Sequence, residues 1–168
     1  YESQDDHGNL EALVYEPDVE ARPWGTLTHF WFDGVAWHRG VILDMRALGP
    51  ASLIQSDDES GCKHHNFEAL VPELEDGTDR PTLCLWYRDN HDDEHDVGDW
   101  RRAGPPLPLA AGAVGPGVCL MQGDLGANSD HGNFEALAAI DGPSIEHMWR
   151  NQTDGAWHSG GIVYPAGW

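Results

Sequence analysis

One polar pair recurs along the chain: Asn9 with Glu11, Asn66 with Glu68, and Asn133 with Glu135. Spaced two apart, the members of each pair share one face of an extended strand, because strand side chains alternate sides. An aromatic segment with a basic residue follows each pair. It holds His29 in 27–33, Arg88 in 83–89, and His147 with Arg150 in 145–151. Next come Trp37 and His38, Trp100 and Arg101, and Trp157 and His158. Amide, carboxylate, imidazole and guanidinium groups bind hydroxyls, and an indole offers a flat apolar platform. A carboxylate on a mostly apolar strand needs a partner. The expected partners are His29 for Glu11, Arg88 for Glu68, and His147 or Arg150 for Glu135. Two uses of such pairs stay open: fixing strand register inside a sheet, or contacting a ligand. Leu85 stands where the other copies have His29 and His147, so not every copy needs the imidazole. The three Trp residues are equally two-sided. They either pack neighbouring units together or carry a ring-shaped ligand, while His38, Arg101 and His158 point to the opposite side.

Other chemistry is sparser. The run His91, Asp92, Asp93, Glu94, His95, Asp96 has oxygen and nitrogen donors suited to a divalent cation. It matches neither the calcium-loop nor the zinc-helix spacing, so a solvated acidic loop is the simpler expectation and no cofactor is required. No nucleophile elbow, phosphate loop or Cys–His pattern appears. The conspicuous residues also recur, whereas an active site is generally unique, and this favours binding over catalysis. Cys62, Cys84 and Cys119 allow at most one disulfide and show no metal-ligand spacing. A net charge of -20 repels phosphate backbones and anionic membranes, which argues against nucleic acid as a partner. No apolar run approaches the roughly 18–20 residues of a membrane span. Without an initiator Met, Tyr1 is expected to follow processing or excision, and a secreted or extracellular setting is expected.

The elements that must position these residues repeat as well. Signatures beginning at His7, His64 and His131 lie 57 and 67 residues apart. Each copy continues through the aromatic segment to the Trp-led one. A Gly-Pro segment precedes two of the copies, at Gly49-Pro50 and Gly115-Pro116. Each segment is short, aliphatic or aromatic, and bounded by turn residues, which predicts a strand. Asp33-Gly34 and Asp154-Gly155 predict hairpin turns. No helical period is sustained, so almost no helix is expected. The expected fold is all-β: three four-stranded repeats at about 1–48, 49–114 and 115–168, the first lacking one strand, or roughly eleven strands in one domain. Consecutive antiparallel strands joined by tight turns make a β-propeller blade. Three blades fall short of an ordinary ring of about four to eight, so a homo-oligomer or another chain is expected to complete it. A β-trefoil is the alternative, less favoured because these repeats are long for it.

The sequence resembles the blades of bacterial and fungal β-propeller lectins on these residues: Glu and aliphatics after Gly-Asn, then Leu-x-His-x-Trp, then a Gly turn and Trp. The Photorhabdus-type fucose-binding lectins and the tectonin or tachylectin-like propellers are the groups in view. That resemblance covers most of the chain. It implies several similar sugar sites between blades, hence a multivalent carbohydrate-binding protein with a carbohydrate or glycoconjugate as partner. The loops here are longer and more acidic, and the second copy diverges, so no particular sugar is implied. Alternatives are a fragment of a propeller-fold polysaccharide hydrolase or lyase, and a protein-binding scaffold.

Overall fold

Short aliphatic and aromatic segments between Gly, Pro and Asp turns form the strands. The computed structural model describes residues 10–18, 20, 22–56, 66–88, 99–109, 114–123, 132–140, 142–151 and 155–164. They form β1 (Leu10–Pro17), β2 (Gly25–Phe32), β3 (Trp37–Ala47), β4 (Ser52–Gln55), β5 (Phe67–Leu74) and β6 (Pro81–Arg88). Then follow β7 (Trp100–Arg102), β8 (Val114–Gln122), β9 (Phe134–Ile140), β10 (Ser144–Arg150) and β11 (Trp157–Tyr164). There is no helix among the described residues.

Pairing is antiparallel throughout, in a seven-stranded and a four-stranded sheet. The smaller sheet is a meander, β8-β9-β10-β11. The larger contains the same meander as β4-β5-β6-β7, and β1-β2-β3 without a first strand. These two parts join at one residue pair, Ala47 with Glu73. From there the chain runs on beside β5: Leu48 N–H donates to Pro72 O at 2.8 Å, and Ser52 then pairs with Leu70. The last strand of the first unit thus leads straight into the first strand of the second. We call the three meanders the first, second and third units.

The units stack face to face. Leu27, Leu43, Met45 and Ala47 of the first unit, backed by Leu13 and Tyr15, meet Ala69, Val71, Leu53, Trp86 and Trp100 of the second. Leu70, Leu83 and Leu85 from the opposite face of the second unit meet Leu120, Phe134, Ala136, Ala138 and Met148 of the third. Each buried aliphatic side chain contributes about 1.5–3 kcal/mol. The second unit is covered on both sides, so β5 is buried along nearly its whole length instead of alternating. The Gly-Pro segments meet as well. A Cβ on Gly49 would lie 2.7 Å from Pro116 Cβ, so only glycine permits this approach. Close by, Leu120 N–H donates to Ser52 Oγ at 2.9 Å, tying β8 to β4.

Candidate functional site

Strand register places one row of side chains across each unit. Trp31 lies opposite Glu11 on one side and His38 on the other. Tyr87 lies between Glu68 and Arg101, and Trp149 between Glu135 and His158. Directly opposed residues share a face. Each unit therefore carries a carboxylate–aromatic–basic row, which in the first two units lies on the face turned toward the next unit. The rows sit beside the β2–β3, β6–β7 and β10–β11 connections, at one rim of the stack.

Two rows share fine geometry. His38 stacks on Trp31 with ring centroids 4.1 Å apart, and His158 on Trp149 at 4.3 Å. One residue pair further in, His29 Nε2 meets Glu11 Oε2 at 2.5 Å, and His147 Nε2 meets Glu135 Oε2 at 2.5 Å. The expected Glu–His pairs therefore form. They differ in burial: the His29 side chain is 4 % exposed and that of His147 32 %. His29 is covered because Trp100 of the second unit meets its ring edge-on at 6.0 Å. Among the described residues the third unit has no such neighbour on that face.

The turn beside the first row is held by Asp33. Its Oδ1 accepts from the backbone N–H groups of Val35 and Ala36, each at 2.8 Å, and its Oδ2 accepts from His38 Nε2 at 2.7 Å. The Ala36 hydrogen bond, then those of His38 and Val35, hold this carboxyl down to about 2. Asp33 thereby fixes the His38 ring over Trp31. Asn66 and Asn133 each accept a backbone bond: Asn66 O from Ser56 N–H at 2.8 Å and Asn133 O from Gly123 N–H at 2.9 Å. Both bonds close the same corner of their units.

One expected pairing is corrected, and of the two candidates for Glu135 His147 is the one that pairs. Arg88 does not partner Glu68: it lies opposite Phe67, 5.9 Å over its ring, on the other face. There it feels the charge of Glu11 from the first unit, while burial pushes its guanidinium below the ordinary range. Arg150 does not partner Glu135: it lies 5.7 Å over Phe134, and its Nε donates to Gly155 O. Each Arg is one residue beyond the aromatic that opposes the Glu, and alternation turns it away. The Trp residues that open β3, β7 and β11 divide: Trp100 and Trp157 pack against the two cores, whereas Trp37 is 52 % exposed. The aromatics of the rows, Trp31, Tyr87 and Trp149, were not singled out in the sequence. Counting from the 33–36 turn, which sets Phe32 opposite Trp37 and Trp31 opposite His38, would have found the first of them.

Asn9, the 91–96 run and Cys62 lie outside the described residues. Cys84 and Cys119 are free thiols, and burial, with Glu73 nearby, pushes Cys84 up to about 12. Among the described residues no group of three or more His, Cys, Asp and Glu side chains is arranged to hold a metal ion. No known family model and no curated protein sequence matches the chain.

Proposed function

We propose that this chain is a multivalent carbohydrate-binding protein built from β-propeller blades, with its sites at the rim between neighbouring blades. The observation that carries this reading is the threefold row Glu11–Trp31–His38, Glu68–Tyr87–Arg101 and Glu135–Trp149–His158. A partly exposed aromatic ring beside a basic donor suits a sugar, whose ring has an apolar face edged by hydroxyls, while the carboxylates of Glu11 and Glu68 lie largely buried behind it. Repetition of the row suits several weak sites that add through avidity. A net charge of -20 favours a neutral or cationic ligand over an anionic one. Face-to-face stacking of meander units, with the adjoining first strands β4 and β8 tied together, supports the blade arrangement.

The test is a glycan microarray followed by calorimetry on the hits. Neutral sugars are expected to bind with more than one site per chain. Trp31→Ala and Arg101→Ala should each remove one site and leave the circular dichroism spectrum unchanged. No neutral sugar bound at millimolar concentration overturns the proposal, as does binding that ignores both substitutions.

A further inference from the structure

The two internal interfaces use one kind of contact twice. A unit turns its Glu-bearing face to the next unit, which receives it on the opposite face. Among the described residues both kinds of face are left uncovered once, at opposite ends of the stack. The third unit exposes a Glu-bearing face. Its Met121 opposes Glu135 as Ile54 opposes Glu68; Ile54 packs into the second interface, whereas Met121 is 48 % exposed. The first unit exposes a receiving face. Val14 holds the strand position of Val71, which is fully buried, yet Val14 is 42 % exposed. Leu10, Val14, Trp37 and Ile42 all lie on this face, at 42–62 % exposure. At the positions of Leu10, Val14 and Trp37 the later units bury Phe134 and Val71 and half-bury Trp100 and Trp157, whereas Ile162, the counterpart of Ile42, stays 43 % exposed.

A second observation concerns the aromatic contact. In the first interface the receiving unit places Trp100, the opening residue of β7, edge-on against His29. Trp37 opens β3 in the same way and among the described residues meets no such imidazole, while His147 on the third unit is the equivalent of His29 and is 32 % exposed. The outer faces of the first and third units are therefore complementary.

We infer that copies of this chain associate head to tail, the Glu-bearing face of the third unit seating on the receiving face of the first unit of a second copy. Leu137 and Met121 then cover Val14 and Leu10, and Trp37 meets His147 of the neighbouring copy. The contact is heterologous, so it extends or closes into a ring and does not end in a symmetric face-to-face pair. It does not rest on carbohydrate binding, but it covers the face that carries the Glu135–Trp149–His158 row.

The experiment is light scattering on a sizing column over a concentration series, with single variants Val14→Asp and Met121→Asp. Both sites are surface positions, and circular dichroism checks that each variant is folded. The unaltered chain is expected to exceed one chain's 18.5 kDa, and to do so more as concentration rises. Each variant should be monomeric. Mixed in equal amounts, the two variants should form dimers and nothing larger, because each retains the one face that the other has lost. Trp37→Ala should weaken association of the otherwise unaltered chain by about tenfold or more, the range of one desolvated aromatic anchor. The inference is overturned if the unaltered chain stays monomeric up to about 100 µM, a weak-binding limit. It is equally overturned if the chain associates but the variant mixture stays monomeric, which would place the contact elsewhere. A monomer that binds sugar would remove this association and leave the carbohydrate reading standing.

Discussion

A glycine in the Trp-led strand has a local reason that only the side chains reveal. A Cβ on Gly40 would stand 2.9 Å from His29 Nδ1, and one on Gly160 would press on the His147 ring. The imidazole reaches its Glu by lying across a strand that carries no side chain there. The second unit solves the same problem differently: Leu85 replaces the His and Ala103 takes the place of the Gly. We therefore expect Gly160→Ala alone to cost about 1–3 kcal/mol, the usual cost of overpacking. Adding His147→Leu should recover about 1 kcal/mol or more, a coupling that a double-mutant cycle isolates. Glu135 loses its partner in that variant, but its side chain is 22 % exposed and water can reach it. Urea unfolding of the four proteins measures the cycle, and strictly additive costs would mean that the glycine does not seat the ring. Strand alternation made the Glu11–His29 and Glu135–His147 pairs legible in the sequence. The same parity turns Arg88 and Arg150 away, each a single residue past the position that faces the Glu. Inter-unit contacts such as Trp100 on His29 join residues 71 apart, and no local pattern encodes them.

At the scale of elements, repetition made the strands legible: three imperfect copies of each signature mark four strand positions more firmly than any one copy does. The passages between units were less legible. The β3-to-β4 passage stays beside β5 but takes five steps from Ala47 to Ser52 where β5 takes three from Leu70 to Glu73, so the chain bulges there. Pro72 sits opposite that bulge, where its missing N–H leaves no ladder bond unmade. Beside it, Glu73 is buried and held from two strand neighbours: Trp86 Nε1 donates to it at 2.9 Å, and Arg102 pairs with it and reaches Cys84. Arg102 is the charge that makes this buried carboxylate tolerable. Arg102→Met keeps the apolar stem and removes the charge. We expect it to cost about 2 kcal/mol, below the full penalty of a buried pair because Arg102 is partly exposed and the Trp86 bond remains. Thermal and urea unfolding read the loss; a change within about 0.5 kcal/mol, the scatter of ordinary surface substitutions, would show that Trp86 alone satisfies Glu73.

Across the whole molecule, stability must be uneven, because a stack of units gains from each interface it makes. The second unit makes two interfaces and its neighbours among the described residues make one each. Charge adds to the imbalance: a net -20 repels itself throughout, and only packing opposes that repulsion. Local opening free energies should therefore be highest in β5 and β6, whose inward runs are buried on both faces, and lowest in β1 and β11 at the outer edges. Amide hydrogen exchange followed by mass spectrometry tests this directly. Peptides from β5 and β6 should exchange last, near the rate set by global unfolding, and those from β1 and β11 first. The experiment should be run at two protein concentrations. If end faces are covered by a second copy, β1 slows with concentration while β5 does not. Uniform protection in all units at low concentration would instead mean that the three units unfold as one, with the two interfaces too strong for either end to open alone.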